Sequence, residues 1–581
     1  MKRNLFTSFM LALCLSITAL VLTACGKSDY DMSGVAFNDI TKDYTASTVI
    51  LTKNDLDGTL PEGVEVSFKY FSDEEKTEEV IAKDAGVYYV TAKFTGDDKH
   101  NPIEDKSAKL TINKVDFANV TFDVVGTYTD SDNNKTTVVA KSENENSVYF
   151  EYDAKPFKLS IQNESITLDS SARTIGYYKS LNEDKTDVLE SSKTTNNVVE
   201  KIGDVLFIKV KYEDKNHNPI SVIKKISIHQ IVKEISSYED LIQMNKDIYE
   251  IPSTASRNAI KYILTQDINL DGIVWKTISP AFGKDYFCSE FDGNGHTISN
   301  FKITNDSTKY TLTLADGSKK IVDAQNTSDQ CVHFGFFGYV AAANIHNLTL
   351  ENISVDIDMD EIAKTSSAKF CYYGTLMARG ESDASGYGVQ GNASTTLKDC
   401  YVNNVTANIV ASKAYVGGVI GCDHNANTET TTYSRENLYT NNVNLIVKKG
   451  ITHNNRISVG GIVAETQSKD VTVYKNCTVL NGTVKVEAFQ NDDNTNENSY
   501  GVDPVSIGTI LGWDKSGTSG NVKIENCRGN LNIEVYVKDA SQLQYEGAGV
   551  YGKNSANLTV DQLSSATNTI KKYYLGVLVQ E

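Results

Sequence analysis

The second half of the chain repeats one short pattern five times, and this repeat restricts the fold more than any other feature of the sequence. The third position is Asn or Asp, the fourth is Leu or Cys, and the eighth is Asn, which a one-residue deletion shifts to Asn530 in the last copy. The flanking positions alternate between apolar and polar residues, which indicates strands with one buried face. The copies are IHNLTLENISVDI (345–357), LKDCYVNNVTANI (397–409), RENLYTNNVNLIV (435–447), YKNCTVLNGTVKV (474–486) and IENCRGNLNIEV (524–535).

A second repeated element, centred on glycine, lies between the copies of the first. Its first glycines recur about every 40 to 50 residues, and a regular period in this range indicates a solenoid or a propeller. These elements are HFGFFGYV (333–340), YYGTLMAR (372–379), YVGGVIG (415–421), SVGGIVAE (458–465) and SIGTILGW (506–513), with first glycines Gly335, Gly374, Gly417, Gly460 and Gly508.

The physical chemistry of the repeats favours a solenoid. If the copies stack in register, the fourth position forms an inward ladder of Leu and Cys side chains, so Cys400, Cys477 and Cys527 are predicted to be buried and unreactive. Asparagine tolerates the left-handed backbone of a sharp corner and can form a hydrogen-bonded ladder. Glycine permits a tight turn between strands where a side chain would clash.

A short helix is predicted at the start of this array. The segment ISSYEDLIQM (235–244) has Ser237 as an N-cap, acidic residues in the first turn and apolar residues on one face. Such a helix would cover the first coil, because the terminal repeats of an array need a cap. We therefore predict a parallel β-solenoid over residues 233–581.

The residues of this region also resemble a known family. YILTQDINL (262–270), EFDGNGHTISNFKI (290–303), FGFFGYV (334–340) and IHNLTLENISV (345–355) are similar to the GLUG-type repeats of bacterial surface and adhesin-like proteins. The match is specific for about 262–357, and the later copies lack the full glycine pattern. The resemblance implies a right-handed parallel β-helix, exposed outside the cell, with a binding or structural role.

The first half of the chain contains two related modules, 34–114 and 115–232. Both close with an alternating strand, an acidic turn, the sequence His-Asn-Pro-Ile at 100–103 and 217–220, and a final strand, AKLTI or KKISI. Short strands at this spacing predict antiparallel β-sandwiches. The first module resembles bacterial immunoglobulin-like modules, and the second does so only at its end. Since His100 and His217 occupy the same turn of a repeat, we assign them a structural role and the modules a spacer role.

The N-terminus predicts secretion and lipid anchoring. Lys2 and Arg3 precede an apolar stretch from Leu5 to Leu22, and the chain turns polar directly after Cys25. The sequence Leu22-Thr23-Ala24-Cys25 resembles the site at which bacterial lipoproteins are cleaved and diacylated, which implies a membrane anchor on Cys25. Residues 1–25 are thus the signal peptide and lipobox, 26–33 a linker, and the predicted location is the outer face of the cell membrane.

Composition excludes several classes of function. The net charge is -19 and the pI about 5.0, whereas nucleic-acid binding requires a basic stripe, so no nucleic-acid partner is expected. Apart from Cys14 and Cys25, the cysteines lie at or beyond Cys288 without any CxxC pair, so neither a zinc site nor a dense disulfide framework is expected.

An enzyme on a β-helix is the alternative that we weigh against a binding protein. The seven arginines are scattered at positions 3, 173, 257, 379, 435, 456 and 528 without a shared motif, although a lyase of this shape needs a poised basic residue. Hydrolases need two facing carboxylates. Asp292 and His296 of DGNGH suit a turn of the repeat better than a catalytic pair. No catalytic residue and no cofactor are therefore predicted.

Two acidic segments are candidate calcium ligands that we interpret as solvated surface. Asp356, Asp358 and Asp360 are expected on one face of a strand end, and Asp492, Asn494 and Asn496 lack the glycine of an EF-hand loop. The Cys422-Asp423-His424 turn has no second ligand pair, so we predict no metal site there.

The expected function is non-catalytic binding or adhesion to a glycan or a protein, presented on the β-helix of a lipid-anchored surface protein. Tyrosines at the coil edges are the candidate contacts, because an exposed aromatic ring can stack on a sugar. These are Tyr372, Tyr373, Tyr415 and Tyr545.

Overall fold

The computed structural model describes residues 27–580, except 130–134, 154, 167–171, 200–201, 284, 382–394, 426–432, 451–455, 469–470, 489–503, 517–520, 539, 554–557 and 575–576. The predicted lipid anchor at Cys25 and the candidate ligands Asp492, Asn494 and Asn496 lie outside the described residues. The chain is mostly β, as the sequence predicts, and its second half contains parallel sheets.

The chain divides into two compact units. One consists of the described part of Met1–Val124 with Ile161–Asn196 and Leu206–Lys225, and the other of Val125–Ser160, Asn197–Val205 and Ile226–Glu581. Segment 115–232 contributes residues to both units. The module boundaries read from the sequence stay predictions.

The first unit begins with a four-stranded sheet over a small apolar core. Its outer strand pairs in parallel with the last strand, while the other pairs are antiparallel. The fully antiparallel arrangement expected for this module is therefore wrong for its first strand. The parallel pair is feasible because the intervening hairpin supplies a long crossover connection. The strands are Ile40–Asp43, Glu65–Phe71, Gly86–Thr95 and Lys106–Asn113, with a 3-10 turn at Lys53–Asp55.

The two predicted turn histidines have the same surroundings. His100 Nδ1 lies 2.6 Å from Asp97 and its ring stacks on Tyr30. His217 Nδ1 lies 2.9 Å from Asp214 Oδ2 and its ring stacks on Phe117. A carboxylate on one side and an aromatic ring on the other hold each turn, which agrees with a structural role.

Residues 123–235 form further strands, joined mainly by antiparallel pairs. They are Asp123–Thr129, Lys135–Val139, Lys141–Asn144, Ser147–Tyr152, Phe157–Gln162, Arg173–Tyr178, Lys193–Thr194, Val198–Val199, Val205–Tyr212 and Ile220–Ile235, with a 3-10 turn at Glu190–Ser192.

The predicted N-cap is confirmed. The helix Tyr238–Glu250 begins directly after Ser237, whose side chain accepts a hydrogen bond from the Asp240 backbone. Leu241, Met244 and Ile248 of this helix are buried in the same core as the strands that follow. Two shorter helices are Thr254–Asn258 and Met359–Ala363.

From Ile231 onward the chain builds three stacked sheets, which we call A, B and C. In each later repeat the chain passes through sheets A, B and C in turn and then adds the next strand of sheet A in parallel register. Sheet B contains Cys331–Phe334, Phe370–Gly374, Lys413–Gly417, Ile457–Gly460, Val505–Gly508 and Leu543–Gln544. Sheet C contains Phe337–Ala341, Met377–Glu381, Ile420–Asn425, Val463–Ser468, Leu511–Asp514 and Tyr551–Lys553.

Sheet A is the longest of the three and ends in an antiparallel pair. After the end of Ile220–Ile235 it contains Ile260–Leu264, Ile268–Asn269, Glu290–Asp292, Thr297–Ser299, Lys302–Thr304, Asn344–Asp358, Thr396–Val410, Tyr433–Lys448, Val471–Lys475, Thr478–Glu487, Asn521–Glu525, Arg528–Val537, Leu558–Val560, Ser565–Ala566, Thr569–Tyr574 and Val577–Gln580. Outside the three sheets lie the hairpin Lys309–Thr313 with Lys319–Asp323 and the 3-10 turns Asn305–Thr308, Ala324–Asn326, Ala540–Gln542 and Gly547–Gly549.

Asparagine corners bend the strands of sheet A, as predicted. The recurring Asn or Asp residues have left-handed backbone and link coil to coil through their side chains. For example, Asn442 Nδ2 donates to Asn404 Oδ1 at 3.0 Å, and Asn404 Nδ2 donates to Asn352 Oδ1 at 3.1 Å. Asn530 is the exception, because the register shifts there and its φ is not positive. The left-handed corners are Asn347, Asn352, Asp399, Asn404, Asn437, Asn442, Asn476, Asn481 and Asn526.

The inward ladder of Leu and Cys is also confirmed. Leu348 lies opposite Cys400, which lies opposite Leu438. Cys477 and Cys527 continue the row, and all of these side chains are buried. Burial raises the pKa of the Cys400 thiol to about 12, so it is not a nucleophile at neutral pH.

Candidate functional site

Side chains on the outward faces of sheets B and C contact each other along the stack. The Arg379 guanidinium of sheet C lies 5.8 Å from the ring centre of Tyr372 in sheet B. Arg456 lies just before the sheet B strand Ile457–Gly460, two strands beyond that of Tyr372, and is 3.2 Å from the ring centre of Trp513 in sheet C. We call this site the B–C cleft. Its residues are Phe370, Tyr372, Lys413, Tyr415 and Arg456 from the sheet B side, and Arg379, Cys422, Glu465, Trp513, Lys515 and Lys553 from the sheet C side.

The glycine-centred repeat creates this cleft. A Cβ on Gly417 or Gly460 would lie 1.8 Å from a carbonyl oxygen three residues further on, so only glycine allows so sharp a turn from sheet B to sheet C. Strand alternation then directs Cys371 and Tyr373 into the core and Tyr372 into the cleft.

The predicted exposure of the tyrosines is wrong for three of the four. Tyr372, Tyr373 and Tyr415 are only 7%, 0% and 2% exposed. Tyr373 faces the core, where its hydroxyl lies 2.7 Å from that of Thr375. Tyr372 and Tyr415 are opposite one another in sheet B and stack with ring centres 4.8 Å apart, so each covers the other. Tyr545 is half-buried, and its hydroxyl accepts a hydrogen bond from Asn568 Nδ2 at 2.8 Å.

Trp513, like Phe370, is a partly exposed aromatic residue of the B–C cleft, and basic side chains surround it. Besides Arg456, the ammonium groups of Lys515 and Lys553 lie 5.6 and 5.8 Å from its ring centre. Each contact of this kind contributes about 0.5–1 kcal/mol when exposed and more when water is excluded. An indole flanked by cations is a surface that attracts both sugar rings and negative charge.

A second cation–aromatic group lies on the sheet B side, one strand before Arg456. The Lys413 ammonium is 4.1 Å from the ring centre of Phe370 and 5.7 Å from that of Tyr415. Burial lowers the pKa of Lys413, and the positive charges of Lys515 and Arg456 lower it further, whereas Glu465 opposes them.

Glu465 is the carboxylate that faces these cations. It is 2% exposed, and its Oε1 lies 3.8 Å from Cys422 Sγ. Burial raises its pKa, although Lys515 and Lys413 act in the opposite direction. Among the described residues of the cleft, positive side chains therefore outnumber negative ones.

A polar triad lies next to Arg379, where its strand ends. Glu381 Oε2 lies 2.7 Å from His424 Nδ1 and accepts a hydrogen bond from Arg379 at 3.2 Å. Glu381 and His424 are adjacent because their strands are neighbours in sheet C. An imidazole oriented by a carboxylate can transfer protons.

A separate group on sheet A combines Glu290, Asp292 and His346, whose candidate ligand atoms all lie within 4.8 Å of one another. The Lys261 ammonium lies 3.0 Å from Glu290 and 2.8 Å from Asp292 and so already supplies a positive charge. A cavity of about 400 Å³ lies beside it, lined mainly by polar residues and without an aromatic ring. This group fits a partly buried ion-pair network better than a metal centre.

The candidate calcium ligands do not share one strand face, contrary to expectation. The strand ends at Asp358, whose carboxylate caps the following helix by accepting from the Glu361 backbone at 3.0 Å. Asp360 lies inside that helix, while Asp356 is an exposed strand residue. A helix begins here because aspartate is a favourable N-cap.

Cys422, Asp423 and His424 alternate in direction. Asp423 points into the core and pairs with Arg435 at 2.6 Å, while Cys422 and His424 lie on the outward face. The DGNGH segment forms a turn, with left-handed backbone at Asn294 and Gly295.

Sequence reasoning missed the B–C cleft because its cations are far apart in the chain. A signal was nevertheless present: Arg379, Cys422, Glu465 and Trp513 each follow the first glycine of their repeat by five residues. Strand register turns this shared position into one row across sheet C.

Comparisons with known proteins define no family. No family model matches the chain, and no curated protein is significantly similar to it. Among solved structures, a Bacteroides ovatus protein named a "putative immunoglobulin A1 protease" is 17% identical with a TM-score of 0.36, covering 60% of this chain and 78% of that one. Pectate lyase PelI from Erwinia chrysanthemi is 10% identical with a TM-score of 0.11, covering 78% of this chain and 100% of that one. TM-scores this low carry no argument about fold or activity.

Within the described residues, no helix has the length and apolar character needed to span a membrane.

Proposed function

We propose that this chain is a lipid-anchored surface protein that binds a glycan, without cleaving it, in the B–C cleft of a parallel β-helix. The lipobox sequence ending at Cys25 supports the anchor and the extracellular location. The two N-terminal modules, of immunoglobulin-like type, act as spacers between the anchor and the β-helix.

The β-helix is inferred from the way that the chain returns to each sheet. Sheets A, B and C each gain one strand per repeat in parallel register, and a common apolar core lies between them. Asparagine ladders at the corners support this interpretation, since stacked identical turns are what a solenoid requires.

The surroundings of Trp513 are the single observation that carries the binding proposal. The residue is partly exposed, and charged side chains flank its ring. Sugar recognition uses aromatic surface for the apolar face of the ring and polar groups for the hydroxyls and charges. The chain's other tryptophan, Trp275, is fully buried in the core.

A glycan array probed with residues 26–581 tests this proposal. The protein should bind a defined set of glycans, and Trp513→Ala should lose most of that binding. Tyr401→Ala is the matched control, because Tyr401 is 41% exposed on sheet A, away from the cleft. If the two variants weaken binding equally, or if no glycan is retained, the B–C cleft is not the binding site.

A β-helix carbohydrate-active enzyme is the second candidate. The contact between His424 and Glu381, and the raised pKa of Glu465 beside several cations, favour it. Incubation of the chain with the array's best ligand, followed by a reducing-end assay, separates the two functions. A binding protein releases no new ends, whereas an enzyme releases ends that His424→Ala or Glu465→Gln abolishes.

A further inference from the structure

We infer that the glycan bound in the B–C cleft is anionic and carries carboxylate or sulfate groups along its chain. This inference rests on the proposed function and specifies its ligand class. Three observations carry it: the local charge, the surroundings of Lys413, and the spacing of the cations.

The first observation is the contrast between the cleft and the rest of the protein. The chain has a net charge of -19, and negative charge disfavours approach of an anionic ligand. Against this background, five basic residues meet at the cleft: Arg379, Lys413, Arg456, Lys515 and Lys553.

Among the described residues of the cleft, two carboxylates face these cations, Glu381 and Glu465. Glu381 is engaged by Arg379 and His424 at the end of its strand. Glu465 is buried, and its raised pKa reflects a cost of ionisation that the neighbouring lysines only partly offset. Among the described residues, Lys413, Lys515 and Lys553 therefore place positive charge beside Phe370, Tyr415 and Trp513.

The second observation concerns Lys413, which is half-buried. Its ammonium lies over Phe370 and Tyr415, which supply apolar contact. Lys515 and Arg456 repel it, and the buried Glu465 attracts it. A bound carboxylate or sulfate would relieve this repulsion by a charge-assisted hydrogen bond. A neutral sugar would not.

The third observation is that the basic residues come from successive layers of the stack. Lys413 lies two residues before Tyr415, and Arg456 lies two residues before Ser458, which is opposite Tyr415 in sheet B. Trp513 and Lys553 are opposite one another in sheet C. Neighbouring strands are about 4.8 Å apart, a distance comparable to one sugar unit. The arrangement suits a chain ligand with repeated charges better than a single small anion.

Nucleic acid is also a charged chain, but the protein does not favour it. Binders of duplex or single strands use a continuous basic groove and a high pI, whereas the pI here is about 5.0. The glycan is the ligand class that combines the stacking surface of Trp513 with a limited number of cations.

Dextran and its charged derivatives share one polysaccharide backbone, so differences in their binding report the effect of the anionic groups alone. Binding of residues 26–581 to immobilised dextran, carboxymethyl-dextran, dextran sulfate, alginate and poly(dT) would be measured at low and high salt. We expect binding to alginate and to one or both charged dextrans, weakened steeply by salt. Comparing the carboxymethyl and sulfate forms identifies which anionic group is preferred.

Charge variants place the effect in the cleft. Lys515→Gln combined with Lys553→Gln should weaken binding by about three- to tenfold. Lys398→Gln combined with Lys475→Gln is the matched control, since it removes the same charge from sheet A, and it should change affinity less than about twofold. Equal losses in the two double variants would overturn the inference.

The failures of the two proposals are distinguishable. Equal binding of neutral and charged dextran, sensitive to Trp513→Ala, would overturn the anionic class and leave glycan binding intact. Equal or stronger binding of poly(dT) would overturn the glycan as the anionic ligand. Absence of binding to every polysaccharide here and on the array would overturn both proposals.

Discussion

Left-handed backbone decides which residues can occupy the corners of sheet A. Asn437 has a φ of 54°, and its side chain donates to Asp399 and accepts from Asn476. Asparagine serves both needs, since it tolerates this conformation and carries both a donor and an acceptor. The sequence predicted this because the same residue type recurred at the same position.

Substitution of Asn437 separates the contribution of the left-handed backbone from that of the ladder hydrogen bonds. Asn437→Gly keeps the backbone unstrained but loses the ladder hydrogen bonds, so we expect the free energy of unfolding to fall by about 1 kcal/mol. Asn437→Ala loses the same hydrogen bonds and also strains the backbone, because the left-handed region disfavours a Cβ. Its free energy of unfolding should be about 1–2 kcal/mol lower than that of Asn437→Gly. Urea unfolding measures the difference, and equal stability of the two variants would show that backbone strain is not involved.

His333 gives the structure a specific response to acid. The residue is fully buried with Nδ1 3.1 Å from the Pro280 carbonyl oxygen, and burial lowers its pKa to about 3. Unfolded His has a pKa of about 6.5. Between these values the unfolded chain takes up a proton that the folded chain does not. Stability should therefore fall by up to about 1.4 kcal/mol per pH unit as the pH decreases from 6.5 toward 3.

His333→Phe tests this assignment, because Phe keeps a ring against Tyr372, on which His333 stacks. The stability advantage of the wild type over the variant should shrink as the pH falls from 7 to 4. Unfolding midpoints measured across this range report the difference. Parallel pH curves for the two proteins would mean that His333 does not contribute.

At the scale of the elements, the turn from sheet B to sheet C organises the repeat. Glycine starts this turn in every copy because the chain reverses where any Cβ would meet backbone. The period of these glycines was sufficient to predict stacked strands. The sequence could not predict that the outward faces of B and C would approach each other, since that depends on the angle of the turn.

Gly460→Ala should destabilise the stack by about 2–4 kcal/mol, because the new methyl would lie 1.8 Å from the Val463 carbonyl oxygen. Gly34→Ala is the control, because a methyl group added there would have no other atom within 4 Å. Thermal unfolding of both variants checks the prediction. A stable Gly460→Ala protein would show that the turn relaxes easily.

At the scale of the whole molecule, the candidate site depends on long-range register. Arg379 and Arg456 have no common motif around them, and the shared offset of Arg379 and Trp513 from their glycines gains meaning only once the coils are stacked in register. Parallel stacking brings them to one cleft with Trp513. Tyr372 and Tyr415 are buried for a related reason, since they stack on each other from neighbouring coils, whereas strand alternation directs Tyr373 into the core.

Anchoring is a property of the complete chain and has its own test. Cys25→Ser removes the thiol that carries lipid, so the variant should pass from the membrane fraction into the soluble extracellular or periplasmic fraction. Immunoblotting of cell fractions shows in which fraction the variant is found. Retention of the variant in the membrane fraction would contradict the lipoprotein proposal.

Hydrogen–deuterium exchange with and without an anionic oligosaccharide tests the central claim most directly, because it locates the bound ligand. The proposal predicts slower exchange in peptides covering Lys413–Gly417, Ile457–Gly460 and Leu511–Asp514, and unchanged exchange in Tyr433–Lys448 of sheet A. Protection confined to sheet A or to the N-terminal modules would contradict it.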